Sequence, residues 1–428
     1  MVDPMEAVRR LLDLRHRGRL EDLPQVLAEA ARFLGASELT VLLVDYEQIA
    51  LWPLARAPEV TAINEAEAPE PAPADATVLS ADAPHLAALN VAALQHSDAV
   101  PVDGTPAGRA FSTARIQRER GVVWLPLLHG AERLGVLRMG LKEDLEGRLD
   151  EDLRIMAALV AELIASRKGY GDAVEHTRRR LPMQVAAEII WNQLPPLTFA
   201  VDGTMVTAVL EPCYDVGGDA FDYAANGDLL HVALFDTVGH GIAASAQTTL
   251  ALNTYRNARR SGLTLADTYR SIDRWISSQY PGTFVTAVLA ELDTRTGRYR
   301  RISAGHPPEL WLRAGRSLTM PASPTALPLG LGHMRRRGPG VSELALEPGD
   351  TLVLYTDGIT EARDADGALF GLPRLTSLMA EAVARRTPPA EAMRQLIHTI
   401  VSYENGELRD DATAAMLRWR PDHDRTAG

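Results

Sequence analysis

The sequence predicts a multidomain α+β protein: a smaller N-terminal α/β unit, a helical connection, and a larger C-terminal unit in which antiparallel strands are covered by helices. Three observations predict it. The chain has 428 residues, more than one ordinary domain uses. From 197 to 355, β-type runs such as "LLHVALFD" and "FVTAVLAELD" recur across hairpin-length turns, for example "TRTG" at 294 to 297; a parallel sheet would instead alternate strands with helices. Apolar residues at helical spacing fill 242 to 262, 264 to 279, 372 to 385 and 389 to 403,.

Composition narrows the function classes. Hydrophobic residues at 46% and charged residues at 23% are globular values. Asp plus Glu number 56 against 44 for Lys plus Arg, a formal charge of −12, which works against a general attraction to nucleic acid or anionic lipid. Cys213 is the only cysteine, so neither an internal disulfide framework nor a structural Cys-zinc site is available. The first residues, "MVDPMEAVRRLLDLRHRGR", have no uninterrupted apolar core, and no later run approaches the roughly 20 apolar residues of a membrane span,. The expectation is a cytoplasmic protein that binds neither membrane nor nucleic acid.

Along the N-terminal unit, placed at 1–168, Leu23, Val26, Leu27, Ala30, Phe33 and Leu34 mark a helix, and "LTVLLVDY" (39 to 46) reads as a buried strand,. The acidic, Pro/Ala-biased "EAEAPEPAPADA" (65 to 76) has no periodicity and reads as an exposed loop,. "GVVWLPLLHG" and "ERLGVLRMGL" (121 to 141) form a hairpin pattern,. Leu153, Met156, Val160, Leu163 and Ile164 then line one face of a closing helix whose acidic start suits the helix dipole,.

Residues 169–196 read as a helical linker stopped at Pro195 and Pro196,. Two readings stay open for it: a helix packed on its own domain, or a signalling helix that pairs two copies of the chain. The C-terminal domain is placed at 197–420, with 421–428 as a disordered tail.

Four turns in that domain carry carboxylates: "DVGGDAFD" (215 to 222), "DTVGHG" (236 to 241), "YTDG" (355 to 358) and "DDAT" (410 to 413). A strand end holds a side chain rigidly, and an adjacent glycine lets backbone approach a bound group, so Asp beside Gly suits a metal ion. Any single Asp-Gly pair is also ordinary turn chemistry. Taken together, the four offer oxygen donors only, which favours Mg²⁺ or Mn²⁺ over zinc.

The order "VGGDAFD", "DTVGHG", "FVTAVLAELDTRTG", "SAGHPP", "PLGL", "GDTLVLYTDGITEA" and "DDAT" resembles the stage II sporulation protein E branch of the metal-dependent (PPM-type) serine/threonine protein phosphatases, over residues 190 to 420. The resemblance implies a two-sheet antiparallel β-sandwich flanked by helices, with two Mn²⁺ or Mg²⁺ ions at one end. By motif match, Asp219, Asp236, Asp357 and Asp410 would be the metal carboxylates, with Thr237 offering its backbone carbonyl. Asp219 and Asp236 would position the water shared by the ions for in-line attack on phosphorus, and Asp222 and Asp411 would support the ligands. Two residues depart from the family pattern: Thr237 stands for an aliphatic residue and Ala220 for an aromatic one. No phosphate-clamping Arg or Lys can be matched.

His240 has two readings: a turn residue held by hydrogen bonds, or a weak candidate for protonating the leaving group. His306 reads as a loop residue at a strand end. Cys213 is six residues from Asp219, a like charge for a thiolate, and reads as a buried inert thiol.

The first unit resembles a GAF domain in its opening helix, strand, "GTPAGRAFSTARI" (104 to 116), hairpin and closing helix. That implies a sensor with a small-molecule ligand or a dimerisation platform; with no cysteine in the unit, a thioether-linked bilin is excluded. Trp52 and Trp124 serve equally as core or as stacking residues. The expected activity is hydrolysis of phosphoserine or phosphothreonine on an anti-anti-sigma-type regulator in bacterial signal transduction, by a homodimer joined through the linker helix. The competing readings are a non-catalytic phosphoprotein-binding module and a phosphatase of small metabolites.

Overall fold

The computed structural model describes residues 19–54, 98–141, 150–215, 217–322, 326–334, 338–406 and 408–421, with 6, 8, 9, 11 and 12. The acidic loop at 65 to 76, and all of the expected tail except Pro421, lie outside them. Contacts divide the chain into two compact units, Met1–His129 with Arg133–Arg180, and Gly130–Glu132 with Leu181–Gly428.

The first unit is built on a six-stranded sheet in the spatial order Val100–Pro101, Ala50–Pro53, Ala36–Val44, Glu132–Leu141, Val122–His129, Gln117–Glu119. Side chains alternate across a strand, so "VLLV" at 41 to 44 serves two cores. Val41 and Leu43 join the helices Leu23–Phe33 and Asp150–Arg167 on one face. Leu42 and Val44 join Phe111 and Ala107 of the helix Pro106–Thr113 on the other. That two-sided burial is why the run is continuously apolar. Trp52 is buried and donates from Nε1 to Asp45, while the Arg138 guanidinium lies over the half-buried Trp124.

The expected linker is not one helix. The helix Asp150–Arg167 passes into a short turn of 3₁₀ helix, Lys168–Tyr170, and a separate helix Ala173–Arg178, all within the first unit; the helix Val185–Trp191 belongs to the second. Gly169, Gly171 and Pro182 supply the interruptions, since glycine is costly and proline forbidden inside a helix.

In the second unit two antiparallel sheets stack face to face. The five-stranded sheet runs Ser342–Ala345, Arg298–Ala304, Val285–Asp293, Leu229–Thr237, Ala220–Asn226. The six-stranded sheet runs Arg316–Leu318, Leu310–Arg313, Thr351–Tyr355, Ala412–Trp419, Thr204–Glu211, Thr198–Val201. Leu234, Val288, Leu354 and Ala415 belong to the core between the sheets. The alternate residues face outward: Phe235 and Leu289 toward the helices Gly241–Arg260 and Leu265–Gln279, Val353 and Met416 toward Gly371–Ala384 and Pro389–Tyr403. The layers are therefore helix, sheet, sheet, helix, the flanked sandwich that the resemblance implies. Among the described residues no helix is long and apolar enough to cross a membrane.

Candidate carboxylate site

Four strands carry their inward-facing rows past the last apolar residue at the same end of the sandwich. Asp236 lies two residues beyond Leu234, Thr286 two before Val288, Thr356 two beyond Leu354, and Thr413 two before Ala415. Because strand side chains repeat every second residue, all four continue the core face, and the site is its polar end. Asp236 and Thr286 stand directly opposite each other in the ladder.

Asp219 enters from the loop before Ala220–Asn226 and is 2% exposed. It accepts a hydrogen bond from Thr356 Oγ1 at 2.9 Å. Burial, then the charges of Asp236 and Asp411, push its carboxyl well above the ordinary range. Asp236 accepts from Thr286 Oγ1 at 3.2 Å; burial and the nearby Asp357 raise it to about 7. Asp357 opens the short helix Asp357–Glu361, and burial, followed by Asp410, raises it too. Asp410 is exposed and accepts from the Asp411 backbone N–H at 2.9 Å.

Asp411 braces the loop that delivers Asp219. Its carboxylate accepts the backbone N–H groups of Gly217, Gly218 and Asp219 at 2.8, 2.6 and 3.2 Å. Burial raises its carboxyl while these donors pull it down. A Cβ on Gly218 would sit 2.5 Å from the Thr237 carbonyl oxygen, so only glycine lets the loop lie against that carbonyl. Thr237 itself is buried, its hydroxyl 2.6 Å from that of Thr248. Ala220 is fully buried opposite Phe235.

One expectation is corrected. Asp222 does not support the cluster: it accepts from Arg256 at 2.8 Å and Arg259 at 2.9 Å, both on the helix Gly241–Arg260. The strand begins at Ala220, and Asp222 follows that residue to the outer face, away from the inward row that holds Asp236. His306 lies in the loop after the strand Arg298–Ala304, as expected, and its side chain is engaged there. It is buried, with Nδ1 2.8 Å from Thr286 Oγ1 and Nε2 2.9 Å from the Tyr355 carbonyl oxygen; burial lowers its pKa to about 4. His240, exposed, is the N-cap residue of Gly241–Arg260 and makes no side-chain capping bond. Its charge acts on Asp215, whose carboxyl burial raises and His240 pulls back. Cys213 is buried, with Sγ 3.0 Å from Glu211 Oε1.

Sequence reasoning missed Thr286, Thr356 and His306. The two threonines could have been found by extending the two-residue period of "TAVLAEL" and "LVLYT" into the polar positions.

The donor set fits a hard divalent cation. Its side-chain donors are carboxylate and hydroxyl oxygens, and among the described residues none of the five acids forms an ion pair with a basic side chain. The Thr413 hydroxyl, wholly buried, acts on Asp219 alongside that of Thr356, and both pull its carboxyl down against burial and the neighbouring acids. Among the described residues, no three His, Cys, Asp or Glu close on one point as a finished cage; the carboxylates lie within electrostatic reach of one another and lean on hydroxyls and backbone N–H groups.

Comparison with known proteins bears on the same segment. Residues 226–420 match the sequence model of the family described as Stage II sporulation protein E (SpoIIE); Asp219 and Asp222 precede the match. The chain is similar to phosphoserine phosphatase RsbU of Bacillus subtilis (strain 168), 23% identical over 299 residues, 67% of this chain and 86% of RsbU. Phosphoserine phosphatase RsbP of the same organism is 26% identical over 194 residues, 44% of this chain and 46% of RsbP. The solved SiaA-PP2C domain of Pseudomonas aeruginosa aligns with 60% of this chain and 99% of its own, at 22% identity and a TM-score of 0.45. The family match thus falls on the segment of the chain that holds Asp236, Asp357, Asp410 and Asp411.

Proposed function

We propose that the chain is a metal-dependent protein serine/threonine phosphatase whose substrate is a phosphorylated regulatory protein of the anti-anti-sigma type. The observation that carries this reading is the convergence of Asp219, Asp236, Asp357 and Asp410, with no basic side chain paired to them among the described residues, at the polar end of one sandwich core. The names of RsbU and RsbP, both phosphoserine phosphatases, support the substrate class.

Asp219, Asp236, Asp357 and Asp410 would hold two Mn²⁺ or Mg²⁺ ions, with the Thr237 carbonyl as a further oxygen ligand. When bound, such ions supply positive charge to the phosphoryl oxygens and make a water nucleophilic at neutral pH. The chain's part is placement. Thr286 and Thr356 orient Asp236 and Asp219, and Asp411 fixes the loop from Gly217 to Asp219. Hydrogen-bonded supports of this kind set ligand geometry and basicity. His240, exposed on the turn after Asp236, is assigned the proton delivered to the departing serine oxygen.

The first unit is assigned the regulatory role of a GAF-like domain; its six-stranded sheet with helices on both faces supports that assignment. A homodimer is proposed through the linker of 169–196, where Val185 is 62% exposed.

The test is turnover of a phosphorylated regulator and of p-nitrophenyl phosphate with Mn²⁺. Both are expected to be hydrolysed, and Asp236→Asn to abolish both while staying folded. Binding of the phosphoprotein without turnover would replace the enzyme by a binding module. Free phosphorylated metabolites outcompeting the phosphoprotein would reassign the substrate.

A further inference from the structure

Asp236 and Asp357 belong to different sheets: Asp236 lies in Leu229–Thr237 of the five-stranded sheet, and Asp357 follows Thr351–Tyr355 of the six-stranded one. Stacked sheets share side-chain packing but no backbone ladder. At the polar end of the sandwich the apolar packing has run out, so something else must set the separation there.

His306 spans that gap. Its Nε2 lies 2.9 Å from the Tyr355 carbonyl oxygen. A carbonyl only accepts, so Nε2 carries the proton and donates it. Nδ1 then presents a lone pair and accepts the hydroxyl proton of Thr286 at 2.8 Å. Thr286 Oγ1 is also 3.2 Å from Asp236 Oδ2, directly across the ladder, so its single hydroxyl proton is shared between Nδ1 and that carboxylate as a three-centre bond, with the shorter contact to Nδ1,. The loop carrying the ring is itself tied down, because Ser303 Oγ donates to the His306 carbonyl at 2.8 Å. The resulting path runs from Asp236 through Thr286 and His306 to the backbone two residues before Asp357, crossing from one sheet to the other in three short contacts.

We infer that His306 is a positioning residue, a polar strut between the sheets that holds Asp236 and the Asp357 turn at the spacing a bound cation requires. It touches neither substrate nor ion and acts through Thr286 and the Tyr355 carbonyl. The inference rests on reading the carboxylates as a cation site, and the test separates the two claims.

The experiment is calorimetric titration of the full chain with Mn²⁺, run on the parent protein, Thr286→Val, Thr286→Ser and His306→Phe, each checked for native circular dichroism. Val keeps the shape of Thr and removes the hydroxyl. Phe keeps a ring and removes both nitrogens, and the cavity of about 460 Å³ lined by His306, Leu310, Met320 and Tyr355 gives the larger ring room. Thr286→Val and His306→Phe are expected to weaken Mn²⁺ binding by about 10- to 100-fold, the usual effect of removing a support behind a ligand, while Thr286→Ser stays within about twofold of the parent. A purely space-filling role would leave His306→Phe unchanged. Folded Thr286→Val and His306→Phe proteins that both bind Mn²⁺ like the parent overturn the strut. If His306→Phe does not fold, the Val and Ser pair at 286 decides. A parent that takes up no Mn²⁺ overturns the cation site, and this inference with it.

Discussion

Both units of the molecule bury carboxylates, and they treat them differently. In the N-terminal unit Asp45 is wrapped in donors: the backbone N–H groups of Ile49 and Ala50 at 2.8 and 3.0 Å, and Trp52 Nε1 at 3.2 Å. Burial lifts it to about 6, and those donors, with the Arg180 charge, pull it back. In the C-terminal unit Asp219 and Asp236 sit beside other acids, and their neighbours raise them further. Asp222, in the same unit, follows the first pattern, with two arginines on its oxygens. A carboxylate that serves the fold is surrounded by partners, whereas a cluster left to repel itself is a liability that only a ligand relieves.

The contrast can be broken most sharply at Asp236. Asp236→Asn is expected to lower kcat/KM by at least about 10³-fold, and to leave the metal-free protein as stable as the parent or more so, because a crowded buried charge is gone. Kinetics and urea unfolding check the two halves; a variant that loses activity only because it unfolds would put Asp236 in the structural class. Next in size is Asp222→Ala. Stranding Arg256 and Arg259, whose side chains are 17% and 8% exposed, costs about 3–5 kcal/mol, with Mn²⁺ affinity of the folded fraction retained. A large fall in affinity would return Asp222 to the site.

A third difference appears on adding Mn²⁺. At about 100 times Kd, a cation that binds only the folded C-terminal unit stabilises it by about 2.7 kcal/mol. Scanning calorimetry should show its transition rise while the N-terminal one stays in place; equal shifts in both would dissolve the distinction. A change of similar size concerns Asp45. Its folded pKa of about 6 lies above the ordinary 3.8, so the folded state holds the proton more tightly. The contribution is fully present below about pH 4 and lost as pH rises through about 6, a change of about 3 kcal/mol,. Asp45→Asn should flatten that fall in the N-terminal transition between pH 4.5 and 7, and an unchanged slope would mean that other groups set it.

Much of this was legible beforehand, for physical reasons that differ by region. Alternation, unbroken apolar runs and turn chemistry marked the strands from "LTVLLVDY" to "DTLVLYTDG", because burial on one face leaves a two-residue imprint and burial on both leaves a continuous apolar run. Asp219, Asp236, Asp357 and Asp410 were singled out by their motif match to the phosphatase family, on four carboxylate-bearing turns of which three also carry glycine. Asp222 was misassigned by proximity in sequence: three residues after Asp219 the chain has already entered a strand, and its direction is set by the pleat. The linker of 169–196 was read as helical, and the structure divides it at Gly171 and Pro182 into shorter helices. His306 was underrated because its partners, Thr286 and the Tyr355 carbonyl, lie 20 and 49 positions away and meet only when the sheets stack.

The most direct measurement is a crystal of the chain grown with Mn²⁺ and recorded at the manganese absorption edge. Anomalous density among Asp219, Asp236, Asp357 and Asp410, with Asp411 still bonded to the Gly217 and Gly218 N–H groups, is the predicted result. Manganese bound elsewhere, or none at all with those four carboxylates turned apart, would contradict it.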